Sequence, residues 1–554
     1  MPFVYFIVMV GVLVFVHELG HFVWAKTFGV RVLRFSLGFG PRIAGFRRGD
    51  TEYVLSALPL GGYVRMLGEN PRDVVGPRDR GKSFADQSIL RRFIIVAAGP
   101  MMNLIFPILL YFVVFLGDTE LTPSTIGIVY PNRPANGQLE PGDLVTAVDG
   151  EEITTHYELN RVIAQSAGRE LRLELVRDGE PLQRTITPVK EYNELPLDMR
   201  EEVGRIGFKP LHPVPVIGVR SPASPAGAAG LRTFDTVVAA GGRPIERYHE
   251  LERMLDRNRG ALLPLTYLRP EPVPDALGGL VDLDVYTPRV ATLTPEPGRG
   301  DGPTRAGIDS ADLYISHVNA GSPEHHAGLL PGDRLLELDG RPVRMWATFV
   351  EDMKAGRGKT HELRVARGDQ ELKARFAPRH VRLEDEDGQK LDRYVIAVRN
   401  WVPARADPPV ENPSLIAYAF RESLRATTHA VELTVFSVVR LLQGRLSVKS
   451  LGGPLTIFEV AGTAAKEGAL NYLTLMAFIS INLGLINLLP IPLLDGGHLL
   501  FFGYEAVARR PVSVRVREYA HIAGLVVLLA IMVVAFKNDL ERQWPQIVEV
   551  LGRG

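Results

Sequence analysis

His17-Glu18-Leu19-Gly20-His21 sits inside an apolar run from Pro2 to about Trp24, and this placement decides how the chain is read. Residues four apart on a helix share a face, so both imidazoles can reach one metal ion. Glu18 lies one step round from His17, placed to accept a proton from an attacking water. In a soluble protein such a short pattern is often chance. Inside a bilayer each charged group costs on the order of 2.5–3.5 kcal/mol on insertion scales, so a carboxylate and two imidazoles there point to metal binding rather than packing. The run lacks a positive start, and His17, Glu18 and His21 interrupt it. It therefore reads as a membrane span and not as a cleaved secretory leader.

Three further stretches approach the ~20 residues needed to cross the hydrocarbon core: Phe93 to Leu116, about Leu470 to Leu494, and Tyr519 to Phe536. With the first they divide the ends of the chain into spans at 1–25, 93–117, 470–498 and 519–537, joined by loops at 26–92 and 499–518. The 26–92 loop carries Arg31, Arg34, Arg42, Arg47, Arg48, Arg65, Arg91 and Arg92, and the later loop Arg509, Arg510, Arg515 and Arg517. Lys/Arg bias places both loops in the cytoplasm and the long middle region, with both termini, on the opposite side. Leu415 to Leu442 is apolar but interrupted by Arg421, Glu422, Arg425, His429, Glu432 and Arg440, which predicts an amphipathic helix at the membrane surface.

A chain of 554 residues exceeds what one core organises. Lys+Arg and Asp+Glu balance at 63 each with no basic block, so nucleic acid is not an expected partner. With no cysteine, disulfides and thiolate catalysis are excluded, and any metal must be held by His, Asp or Glu.

The middle region repeats itself. Asn132-Arg-Pro-Ala-Asn-Gly-Gln-Leu-Glu-Pro-Gly-Asp143 leads to Val-Asp-Gly150; Ser221-Pro-Ala and Ala228-Ala-Gly-Leu-Arg-Thr-Phe-Asp235 lead to Ala240-Gly-Gly. Ser322-Pro-Glu-His-His-Ala-Gly-Leu-Leu-Pro-Gly-Asp333 leads to Leu-Asp-Gly340. A small helix, a Gly-Asp turn and a strand recur at near-constant separation. The pattern resembles the PDZ domain, with copies expected at 122–192, 203–295 and 311–380. The second copy has Thr-Phe-Asp for Pro-Gly-Asp and is degenerate. Pro295 to Ser310 and Pro403 to Pro413 read as linkers, and 381–469 as linker plus membrane-surface helices.

Two histidines leave a zinc site short of one protein ligand. The third span ends Asn482-Leu-Gly-Leu-Ile-Asn487-Leu-Leu-Pro490-Ile-Pro492-Leu-Leu-Asp495-Gly-Gly-His498, where two prolines break the helix at membrane depth. Freed backbone groups are tolerated there only where they line a cavity or site. Asp495 emerges at that break as the candidate third ligand.

Together, His-Glu-Leu-Gly-His and Asn487-Leu-Leu-Pro-Ile-Pro-Leu-Leu-Asp-Gly-Gly-His look like the site-2 protease family, peptidase family M50. Gly38-Phe-Gly-Pro41, Leu58-Pro-Leu-Gly-Gly-Tyr63 and Ala98-Gly-Pro-Met-Met-Asn103 match it as well, and the motif order resembles the bacterial regulator-of-sigma-E protease branch. The resemblance implies a polytopic α-helical membrane protein with four transmembrane helices, a membrane-associated β-hairpin and three inserted PDZ-like α/β domains, one more than relatives usually carry. It implies Zn²⁺ held by His17, His21 and Asp495, Glu18 as general base, and Asn487, Pro490, Pro492 and Tyr63 as substrate-binding residues. It also implies that the Val30 to Tyr63 loop, turning at Arg47-Arg-Gly-Asp50, offers an edge strand that holds substrate extended. The function implied is zinc-metalloendopeptidase cleavage, in the inner membrane, of a single-span protein such as an anti-sigma factor after a first cut by a site-1 protease. The repeat region would then be periplasmic, acting as a size filter or a tail binder. The rival readings are a non-catalytic PDZ scaffold, a metal transporter, and a protease that clears signal-peptide remnants.

Overall fold

The computed structural model describes residues 2–69, 76, 79–195, 199–273, 283–296, 306–356, 358–384, 390–400, 402–444, 448 and 452–552. Part of the Pro295 to Ser310 linker, at 297–305, lies outside them. The chain forms two compact units. One comprises Met1–Thr119 and Ser414–Gly554 with the short piece Leu195–Met199; the other comprises Glu120–Glu194 and Arg200–Pro413.

The first unit is built on helices. Among the described residues four are long and apolar enough to cross a membrane: Phe3–Thr27, Ile89–Phe115, Ala469–Leu488 and Val514–Arg542. These overlap the four runs singled out from hydropathy, but the third is shorter than the expected 470–498 and the fourth extends beyond 519–537 at both ends. The third stops at Leu488, since Pro490 forces the preceding residue out of helical geometry and Leu489 is extended (φ −61°, ψ 144°). A new helix starts at Asp495. Leu415–Leu442 is one continuous helix that buries Tyr418, Ala419, Ser423, Thr427 and Ala430. Ala430 joins a core with Met9, Leu13, Tyr111, Met476 and Ile481, and Thr434 Oγ1 lies 2.8 Å from Asn482 Oδ1. A further helix, Pro454–Glu467, has its first turn capped from outside: Asp539 accepts from the Gly453 and Leu455 N–H groups at 2.8 and 2.9 Å.

The Val32–Arg48 and Thr51–Met66 strands are joined at the expected turn, with Arg48 paired to Thr51, but they form more than a hairpin. Phe35 pairs with both Val64 and Tyr53, and Tyr53 pairs with both Phe35 and Phe46. Each long strand therefore doubles back, giving four side-by-side segments in the order 62–66, 32–39, 51–58, 42–48, with the two outer pairings antiparallel and the central 34–39 to 52–58 pairing parallel. The segment 62–66 lies at one edge.

The second unit repeats one pattern three times. Leu144–Val148 lies between Glu151–Glu152 and Leu171–Arg177, which pairs on to Glu180–Ile186. Thr236–Ala240 and Arg334–Leu338 occupy the same place in two further four-stranded sheets. The same irregularity recurs in each, between Val145 and Ala147, Val237 and Ala239, Leu335 and Glu337. Each sheet has its own apolar core, centred on Leu159, Leu251 and Phe349. The turns after the central strands need two left-handed residues, hence Asp149-Gly150 (φ 51° and 85°), Gly241-Gly242 (59° and 78°) and Asp339-Gly340 (51° and 77°). The degenerate second copy keeps the fold: Phe234 takes φ 76° where Gly142 and Gly332 have 97° and 92°. A bulky residue is strained there.

A buried ion pair also recurs. Asp143, Asp235 and Asp333 are 0–1% exposed. Each is bound by an arginine 34 residues later: Arg177, Arg269 and Arg367, with N–O distances of 2.7–2.9 Å. Each carboxylate also accepts from a backbone N–H three residues before it. The Gly-Asp turn was thus conspicuous in sequence for a structural reason.

Candidate metal centre

His17 and His21 are buried on one face of the first membrane helix, each 9% exposed. Their Nε2 atoms are 3.3 Å apart. Asp495, first residue of the helix after the proline break, brings Oδ2 to 3.1 Å from His17 Nε2 and 3.6 Å from His21 Nε2. The three form a metal-ligand cluster with all ligand atoms within 4.8 Å of one another. Zinc bonds of about 2.0–2.1 Å at tetrahedral angles put neighbouring donors roughly 3.3 Å apart. The observed triangle has that size, and its His₂Asp composition suits zinc with one position left open.

The surrounding helices set this geometry. His21 Nδ1 lies 2.9 Å from the Ile95 carbonyl, which can only accept, so the proton sits on Nδ1 and Nε2 keeps its lone pair facing the cluster. The second membrane helix can approach so closely because two glycines face the contact. A Cβ on Gly20 would lie 2.3 Å from the Ala98 carbonyl oxygen, and one on Gly99 would lie 2.3 Å from His21 Nε2. Asn103, fully buried on the second helix, places its side-chain amide 3.3 Å from His17 Nδ1, and its backbone carbonyl accepts from Ser480 Oγ at 2.8 Å. Behind Asp495, Cβ atoms on Gly496 and Gly497 would collide with the Leu489 and Ile491 carbonyls at 2.1 and 2.6 Å. Only glycine allows the chain to turn that tightly into the new helix.

A cavity of about 530 Å³ opens onto the cluster. His17, Glu18, His21, Tyr63 and Asp495 line it together. Tyr63 belongs to the edge segment of the small sheet, and this edge abuts the helix: a Cβ on Gly62 would lie 3.2 Å from Glu18 Cγ. Arg92 and Glu505, a largely shielded ion pair at 2.8 Å, also line the cavity. Asn487, Pro490 and Pro492 do not line this cavity. Asn487 ends the third membrane helix, and the prolines occupy the irregular stretch before Asp495. The structure thus brings four of the candidates, and Tyr63, to one space. Reading the sequence gave Asn103 and Gly99 no role, although an amide buried in an apolar span is itself a signal.

Fold and site define a membrane protein with a candidate metal centre among its helices, and the chain belongs to peptidase family M50, which it matches over residues 5–531. Its relatives include the regulator of sigma-E protease RseP of Escherichia coli, 31% identical over 542 residues, 97% of this chain and 98% of that protein. The regulator of sigma-E protease RseP of Salmonella typhimurium is 30% identical over 547 residues, with 97% and 98% covered. A candidate zinc metalloprotease of Pasteurella multocida is 29% identical over 546 residues, 98% of each chain.

Proposed function

We propose that this protein is a zinc metalloendopeptidase that hydrolyses peptide bonds within the transmembrane segments of single-span membrane proteins. The observation that carries the reading is the preformed His17, His21 and Asp495 triangle sharing a cavity with Glu18 on apolar helices. Family membership and the names of the relatives support the same chemistry. Zinc held by the triangle would supply Lewis-acid polarisation of the scissile carbonyl and acidify the attacking water. Glu18 takes the proton from that water and returns it to the leaving amine. His21 is kept in the ligating tautomer by the Ile95 carbonyl, and Asn103 steadies the His17 ring.

A substrate helix hides its peptide bonds, so it must be held extended. The 62–66 edge, with Tyr63 in the cavity, is suited to pair with an unwound segment by strand addition. Asn487 and the Pro490 and Pro492 break lie beside Asp495 in the chain and would bind the other side of the substrate backbone. The repeats act as PDZ-like domains that select substrates on the extracytoplasmic side of the inner membrane, with the arginine-rich loops in the cytoplasm. The substrate class is a protein such as an anti-sigma factor, already shortened by a site-1 protease.

The test is cleavage of a single-span test protein by the reconstituted full chain. Cleavage inside the span, lost on chelation, restored by zinc and absent in Asp495→Ala, is the expected result. Cleavage indifferent to chelation, or confined to residues outside the span, would overturn the proposal.

A further inference from the structure

In each repeat a short strand from late in the sequence closes onto an early one: Phe208–Lys209 onto Ile128–Val129, Ile308–Ser310 onto Ile217–Val219, Val398–Arg399 onto His317–Val318. The residue just before each closing strand is equivalent in all three. Its carbonyl accepts from Tyr130 N, Arg220 N or Asn319 N at 2.9–3.0 Å. In the first two repeats it is glycine, Gly207 (φ 83°) and Gly307 (φ 71°), flanked by apolar residues. A left-handed residue there turns successive N–H groups into a concave anion nest, the kind of turn that takes a peptide's terminal carboxylate as its chain adds to the adjoining strand. Among the described residues neither glycine N–H has a hydrogen-bond partner.

The third repeat differs twice. Ala397 replaces the glycine and does not adopt the left-handed conformation. Its N–H is also taken, donating to Glu324 Oε1 at 3.0 Å. Glu324 follows Pro323 at the position that Ala135 and Ala226 hold after Pro134 and Pro225, and all three are 0% exposed. The other oxygen, Oε2, is buried without a partner. A fully buried carboxylate with one oxygen unpaired costs stability, and an alanine fits the same place in both sister repeats.

We propose that Glu324 is an internal ligand that seals the third repeat's carboxylate turn, so that only the first two repeats can capture a peptide's free C-terminus. The proposal rests on reading the repeats as PDZ-like peptide binders and assigns that role unequally among them.

Hydrogen exchange on the full chain in detergent tests this, using octapeptides with randomised last residues and either a free carboxylate or a terminal amide. In the wild type the free acids, and not the amides, should slow exchange about tenfold at 204–209 or 306–310 and leave 394–399 unchanged. In a Glu324→Ala, Ala397→Gly variant, made to resemble its sister repeats, 394–399 should slow as well. Slowing at 394–399 in the wild type overturns the seal and leaves the tail-binding role standing; this arm needs no variant to fold. Slowing at the first two turns only, in wild type and variant alike, rejects Glu324 as the seal. No slowing at any turn in either protein removes the tail-binding role, and the seal with it.

Discussion

Shielded carboxylates are used in opposite ways by the two units: the repeat aspartates are fully buried, and Asp495 is part-buried. Asp143, Asp235 and Asp333 each meet a guanidinium and a backbone N–H, so charge and lone pairs are satisfied within the chain. Asp495 instead meets two imidazole nitrogens, with Glu18 on the same cavity. The first arrangement is complete without a guest. The second gathers three electron-pair donors around one point and becomes favourable when a cation takes it. Burial of an acidic group therefore does not mark function; the nature of its partners does.

This contrast can be broken at several strengths. Gly99→Ala would put a methyl 2.3 Å from His21 Nε2, so zinc affinity should fall about 10–100-fold while the helices stay folded. Metal titration with circular dichroism reads both, and unchanged affinity would mean that the close helix approach does not set the triangle. Asp333→Ala strips Arg367 and the Leu330 N–H of their acceptor. It should destabilise the third repeat by about 3 kcal/mol in denaturant melts without altering metal content.

In the repeat unit His249 contributes stability that acid removes, and Glu252 opposes it: burial raises the Glu252 carboxyl to about 7, which favours the fold as pH falls. Burial, then Arg253 and His212, push His249 from 6.5 down to about 4, with Glu250 opposing and Arg247 adding to the shift. The unfolded chain takes up this proton first, so stability held above about pH 6.5 is lost as pH falls towards 4, by on the order of 2–3 kcal/mol. His249→Asn should flatten that dependence in melts between pH 7 and 4. The smallest effect is a gain: Phe234→Gly relieves a left-handed aromatic residue and should add about 1 kcal/mol.

Much of this was legible in the chain because the signals were local. Hydropathy gave the four helices, Pro490 and Pro492 the break, and Asp-Gly or Gly-Gly the repeat turns. What escaped was carried by distant partners. Nothing near Asp143 announces Arg177, since their pairing follows from strand register. The closing strands come far along the chain from the strands they meet. The Val32–Met66 ladder looked like a plain hairpin because each long strand pairs twice, and alternation along one strand does not count its neighbours. His17, Glu18, His21 and Asp495 were readable because polar groups in apolar spans stand out. Gly99 and Asn103 matter through the side chains they face, which only packing reveals.

The central claim is that the triangle holds zinc and Glu18 acts beside it, and one paired measurement on wild type and Glu18→Gln tests it directly. Both proteins should carry about one zinc per chain, and only the wild type should cut a single-span substrate, the variant falling by about 10²–10⁴-fold. A wild type without metal, or a variant that cuts equally well, would contradict the account.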